Sequence, residues 1–164
     1  MENSFQVTED VLASNNMRFV NYLIDLIPQY GIVYGAIYLL FYIAESTSNY
    51  ALNDFLLELS TLQDYIFTYS IMLGYYFFME GFTNRTLGKY VTKTLVVTAN
   101  GNKPTYLDIL KRSFCRLIPF DALSFLGAKG KGWHDSLSKT YVVDVNKFEA
   151  KRKLQGELNL IGKQ

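Results

Sequence analysis

Arg18, Asn21, Asp25 and Gln29 recur at intervals of three and four residues. On a helix they share one stripe with Tyr22. The surrounding residues are apolar, so this stripe would lie in hydrocarbon, with Asp25 about 10 Å deeper than Arg18. A lone carboxylate at that depth costs several kcal/mol unless it is paired or protonated. Two readings are open. In the first the charges are structural: Arg18 extends its stem to the headgroups and Asp25 makes a fixed ion pair with a later arginine. In the second Asp25 exchanges a proton or a monovalent cation, and Arg18 or Arg116 favours its ionised form.

Glu80 through Lys89 (EGFTNRTLGK) reads as a tight turn where backbone amides and cations gather. It lacks the first glycine and the preceding buried strand of a phosphate loop, so no nucleotide cofactor is expected. His134 is the only histidine and adjoins Asp135. Without a metal-spaced partner it reads as an interfacial hydrogen-bonder, with a pKa range that allows titration near neutral pH. Cys115 is the only cysteine, which excludes an internal disulfide and a cysteine-rich metal site. No nucleophile–base pair and no facing carboxylates stand out. No enzyme activity, metal or cofactor is expected.

The elements that must position these groups read as membrane helices. The chain has 164 residues, of which 19% are charged, against roughly 25% in an ordinary soluble chain. Residues 1–80 hold one basic residue, Arg18, and nine acids, and the other fifteen Lys and Arg fall in residues 81–164. Phe19–Ile43 carries one charge, Asp25, over 25 residues. That is about 37 Å of helix against a hydrocarbon core of about 30 Å. The run is too long for a signal peptide and no basic residue precedes it except Arg18. Leu62–Phe82 gives a second span of about 31 Å, with Asp64 and Glu80 at its two interfaces and Tyr65, Tyr75, Tyr76 and Phe82 at belt level. The linker 44–63 has three acids and no Lys or Arg. The positive-inside rule therefore places it outside and both termini in the cytoplasm. Leu52, Phe55, Leu56 and Leu59 mark a short amphipathic helix in that linker. Gly31 and Gly35 form a G-x-x-x-G pair suited to close helix approach. Tyr30, Tyr34, Tyr38 and Tyr42 form a ladder expected to pack on the second span.

The segment 105–127 holds Asp108, Lys111, Arg112, Arg116 and Asp121, too many charges for a span. Tyr106, Ile109, Leu110, Phe114, Leu117 and Ile118 fall on one helical face, and Asp108, Lys111 and Arg112 opposite. Thr105 and Asp108 form a capping box, and Pro119 ends or kinks the helix. The pattern fits an in-plane helix followed by a re-entrant dip at Phe120–Leu126. Lys93–Thr98 (KTLVVT) and Lys139–Asp144 (KTYVVD) are short β-rich stretches, the first followed by a turn at Asn100–Asn102. Neither is stable alone, so they are expected to pair as a cytoplasmic ribbon. The tail 145–164 carries Lys147, Lys151, Arg152 and Lys153 and reads as a basic helix or loose tail near anionic lipid, or equally as a solvated helix. The basic residues are accounted for by orientation, and no nucleic acid is expected.

Taken in order, these pieces resemble the RDD family of small bacterial membrane proteins over about residues 17–144. Arg18 followed seven residues later by Asp25 resembles the family's first helix. Gly81–Lys89 resembles its G-x-T-x-G-K-like turn with one extra residue. Arg112 or Arg116 follows, and Trp133-His134-Asp135 with Thr140–Val143 resembles the closing element. Cys115–Leu126 is shorter than the family's third hydrophobic stretch. The resemblance implies an inner-membrane location and a transport role, sodium–proton antiport having been proposed for some members.

The expected protein is mainly α: two transmembrane helices (about 18–44 and 62–82), an amphipathic or re-entrant helix (105–127) and a short cytoplasmic β-ribbon. Residues 1–144 would form the membrane domain and 145–164 a basic cytoplasmic tail. The expected function is transport of monovalent cations or protons by a homo-oligomer, with Arg18, Asp25, Arg116 and Asp135 as the charge cluster. Asn21, Gln29, Glu80, Lys89, Arg112 and His134 would support it. The alternative is a non-catalytic scaffold or assembly protein in which the cluster is a static clasp.

Overall fold

The computed structural model describes residues 5–118, 121–124 and 131–161. It is mostly helical with one two-stranded sheet. Ser14 caps the first helix, its hydroxyl accepting the Met17 N–H at 3.3 Å. Helix α1 then runs Asn15–Ser46, and Ser48 follows in the left-handed region at φ 51°. Among the described residues α1 is the one helix long and apolar enough to cross a membrane by those two criteria. Asn49 caps α2 (Tyr50–Leu57), and a complete Ser60–Gln63 capping box opens α3 (Thr61–Thr83). Asn84, left-handed at φ 58°, ends α3. The short connections either side of α2 fold α3 back along α1.

The polar stripe of α1 is its buried face: Arg18, Asn21, Asp25 and Gln29, continued by Val33. Its apolar residues point outward, among them Leu23, Ile27, Tyr34, Tyr38 and Leu39. This reverses the arrangement of a helix in water, where the apolar stripe is the buried one. The total accessible surface is 10663 Å². A compact water-soluble monomer of this mass exposes roughly 8,300 Å². Large apolar side chains are prominent on that surface, which marks it as one that contacts lipid or another protein. The tyrosine ladder belongs to it: Tyr30, Tyr34, Tyr38 and Tyr42 are exposed, not buried against α3 as expected. Tyr75 and Tyr76 depart the other way. They are buried rather than placed in a belt, as is Glu80, expected at an interface.

Thr86 caps α4 (Leu87–Val91), which leads into β1 (Thr94–Thr98). After α7 (Trp133–Leu137) comes β2 (Thr140–Asp144). The strands pair antiparallel from Thr94↔Asp144 to Thr98↔Thr140, the expected ribbon. Each is entered from a lysine at φ 54°, Lys93 and Lys139. Gly101, at φ 70°, closes the expected turn after β1. The N-terminal segment completes this end of the molecule. Leu12 bridges to Val143, and the Ala13 N–H donates to the Val142 carbonyl at 2.9 Å. One face of the ribbon packs Val97 and Val143 with Val11 and Phe148, the other Val96 and Val142 with Ala13. Phe148 belongs to α8 (Val145–Ile161), which continues directly from β2. The basic tail is therefore a helix anchored at its first turn.

The third segment is a shorter helix than the sequence suggests. Its capping box is present, Thr105 and Asp108 bonding reciprocally, but α5 ends at Cys115 (Tyr106–Cys115) rather than near 127. Tighter turns follow, the Leu117 and Ile118 N–H groups donating to the carbonyls of Phe114 and Cys115, just before Pro119 in the sequence. A separate turn, α6, spans Asp121–Ser124. Three of the seven residues of the expected re-entrant dip (120, 125 and 126) lie outside the described residues. Tyr106, Leu107, Leu110 and Phe114 are exposed, in keeping with an apolar face toward lipid. Arg112, assigned from sequence to the polar outer face, is instead fully buried.

Candidate functional site

Asp25 lies nearly three turns into α1 and is 1% exposed. Its Oδ1 accepts the Tyr75 hydroxyl at 2.9 Å and the Gly88 N–H at 2.8 Å, and its Oδ2 accepts the Thr86 hydroxyl at 2.5 Å. Every one of these donors is neutral. The expected ion pair between Asp25 and an arginine is thus replaced by three hydrogen bonds from α3 and the α3–α4 turn. That turn reaches α1 because Gly88 has no side chain. A Cβ there would stand 2.4 Å from the Asn21 carbonyl oxygen. Asn21 in turn donates to Thr94 Oγ1 at 3.0 Å and accepts the Thr92 hydroxyl, joining α1 to the start of β1. Gln29 is buried about one turn beyond Asp25.

The arginines are engaged elsewhere. Arg18 does not extend to a surface. It is buried, donating to Asp135 through Nη1 and to the Ala13 and Val142 carbonyls at 3.3 and 3.4 Å. Arg112 from α5 also donates to Asp135, to Thr140 Oγ1 at 2.8 Å and to Glu80 Oε2 at 2.8 Å. Glu80, at the end of α3, further accepts Lys89 Nζ at 3.0 Å and Arg116 Nη2 at 3.1 Å. Arg116 lies over the Tyr76 ring, 3.8 Å from its centroid, where a desolvated cation gains from the ring's negative face. The chain of contacts runs Arg18–Asp135–Arg112–Glu80–Lys89/Arg116. Lys89 Nζ lies 3.3 Å from Thr86 Oγ1, which ties this network to Asp25. All of the expected cluster and supporting residues are buried at this end of α1 apart from Arg116, which is partly exposed.

Charge is conserved inside the network by mutual pairing. Burial alone would raise the Asp135 carboxyl, but Arg112, His134 and Arg18 outweigh it and hold it well below the usual carboxylate range. Burial pushes the Lys89 ammonium down, with Glu80 partly offsetting it. His134 is buried and hydrogen-bonded. Its Nδ1 lies 2.6 Å from Asp121 Oδ2, and Asp121 Oδ1 accepts its backbone N–H at 3.0 Å. Burial, with Arg116 and Arg112, pushes the imidazole down to about 4 against the pull of Asp135 and Asp121, so His134 is neutral at pH 7. The neutral form is the one the fold favours. Stability is therefore intact above pH 6.5, the ordinary histidine value, and falls as pH drops toward about 4. The total loss is about 3 kcal/mol. Thermal unfolding between pH 7 and pH 4 should show it, and His134→Gln should flatten that part of the profile. An unchanged profile in the variant would assign the acid sensitivity to the carboxylates.

Sequence reasoning missed Tyr75 as a ligand of Asp25, and Thr86, Thr94, Thr140 and Asp121 as partners. A signal for two of them was present. The repeated Lys-Thr-x-Val-Val places Thr94 and Thr140 at the same position of each strand, and both threonines turn inward to the network. Among the described residues no three His, Cys, Asp or Glu side chains gather as a metal site.

Fold and site together define a class: a helical protein whose long apolar helix carries a buried Arg–Asp network that locks it to a small ordered ribbon. The RDD family model matches residues 12–143. The chain belongs to the RDD family, a family of membrane proteins in general. No curated protein and no solved structure matches it.

Proposed function

We propose that this RDD protein spans the bacterial inner membrane twice, through α1 and α3, and moves monovalent cations or protons as a homo-oligomer, with Asp25 at the exchange site. The carrying observation is that Asp25 is buried yet held only by neutral donors, two of them hydroxyls. A hydroxyl can turn from donor to acceptor. Tyr75 and Thr86 can then join the carboxylate as oxygen ligands of a cation, or accept from Asp25 when it takes a proton. The ion pairs of Arg18, Asp135, Arg112 and Glu80 keep the frame around that site rigid.

Topology supports the reading. The N-terminal segment, the ribbon and α8 pack together at one end of α1, which suits cytoplasmic placement of both termini. Two spans enclose no pathway, so copies must associate. A Cβ at Gly31 or Gly35 would meet nothing within 4 Å, which leaves that face of α1 open to another helix. Exposed Lys147, Arg152 and Lys153 on α8 suit contact with anionic lipid. The reading is non-enzymatic.

A second reading, an assembly scaffold with a purely structural cluster, is favoured by the full engagement of the Asp25 oxygens. Proton flux in sealed proteoliposomes after pulses of sodium, lithium and potassium separates the two. Transport predicts cation-dependent flux in the wild type and its loss in a folded Asp25→Asn variant. Absent flux from well-inserted wild type would select the scaffold.

A further inference from the structure

Between α1 and the arginines lies a cavity of about 30 Å³. Four cations line it, Arg18, Lys89, Arg112 and Arg116, against one carboxylate, Asp25, whose two oxygens are already engaged by donors. Two guanidinium groups on its wall are incompletely used. Arg112 Nη2 and Arg116 Nε are buried and have no hydrogen-bond partner among the described residues. Glu80 and Asp135 do not line the cavity, and Asp121 is turned to His134.

We infer that this cavity binds one small monovalent anion of chloride size, held by Arg112 and Arg116. Buried charged donors left unpaired are costly, so these N–H groups require an acceptor. A water molecule supplies lone pairs but no charge. An anion supplies both, against a wall that carries four cations and one carboxylate, Asp25. Volume sets the class. A water needs about 10–15 Å³ of such space, so about 30 Å³ holds two waters or one monatomic anion and excludes a phosphate or an organic acid. Of the lining residues, Arg116 keeps 15% side-chain exposure and Tyr22 is partly buried. The inference stands independently of the transport reading.

The test uses purified full-length protein. Crystals grown with sodium bromide should give one anomalous peak beside Arg112 and Arg116. In solution at constant ionic strength, replacing gluconate by chloride should raise Tm saturably, and Arg116→Gln should abolish that rise. Arg112 is kept because its removal would break the Asp135 and Glu80 pairs. No bromide peak, with equal Tm in chloride and gluconate, would show a water-filled cavity and overturn the inference. Should Arg116→Gln not fold, the wild-type bromide map alone decides.

Discussion

Asp135→Asn is expected to destabilise the protein by about 3–5 kcal/mol, the cost of breaking a buried ion pair from one side. Asp135 is fully buried and serves two arginines, Arg18 from α1 and Arg112 from α5. The amide keeps the shape but removes the charge, so Arg18 loses its counter-ion in a low-dielectric site and Arg112 keeps only Glu80. The same residue closes the start of α7, its Oδ2 accepting the Gly132 N–H at 3.3 Å. A domain of this size has 5–15 kcal/mol of stability in total, so the loss is a large part of it. Trp133, the only tryptophan, lies two residues away and reports the change. Its fluorescence should show a much lower Tm in mild detergent. Arg18→Met with Asp135→Asn should recover part of the loss, because one buried charge is removed together with its partner. A shift equivalent to under 1 kcal/mol would mean that Asp135 is solvated in the folded protein.

The sequence made the long elements and the ribbon legible for different physical reasons. α1 could be read because an apolar run of that length has few other uses, and its polar stripe because a period of 3.6 puts Arg18, Asn21, Asp25 and Gln29 on one face. The ribbon could be read because two copies of Lys-Thr-x-Val-Val have to satisfy their backbone groups somewhere. What stayed hidden was direction. Arg112 falls opposite the apolar face of α5 and reads as a supporting member of the cluster, but spacing alone does not say which carboxylates it meets. Tyr106, Leu110 and Phe114 of the apolar face stay exposed, and Arg112 turns inward to Glu80 and Asp135. Glu80 was misplaced at an interface for the same reason. Pairing was hidden too. Sequence spacing shows that Asp25 needs partners, but the choice between arginine and hydroxyl depends on how closely the α3–α4 turn approaches α1.

That approach is set by Gly88, and Gly88→Ala is the sharpest test of it. In the interior of a short helix alanine is ordinarily the better residue by up to about 1 kcal/mol. Here the added methyl carbon would stand 2.4 Å from the Asn21 carbonyl oxygen and 2.9 Å from its Cα. Both are backbone atoms of α1, so no side chain can rotate away and α4 must move. Overpacking of this kind costs about 1–3 kcal/mol. The shift also lengthens the Gly88 N–H and Thr86 hydroxyl bonds to Asp25, and bonds to a charged group contribute about 1.5–3 kcal/mol each. The net expectation is a loss of about 4 kcal/mol, the clash outweighing the propensity gain. Gly31→Ala is the matched control, since nothing lies within 4 Å of its added carbon. It should leave the folded protomer as stable as the wild type or slightly more so. Equal Tm values for the two alanine variants would mean that α4 does not rest on α1 at Asn21, and the three-donor cradle of Asp25 would go with it.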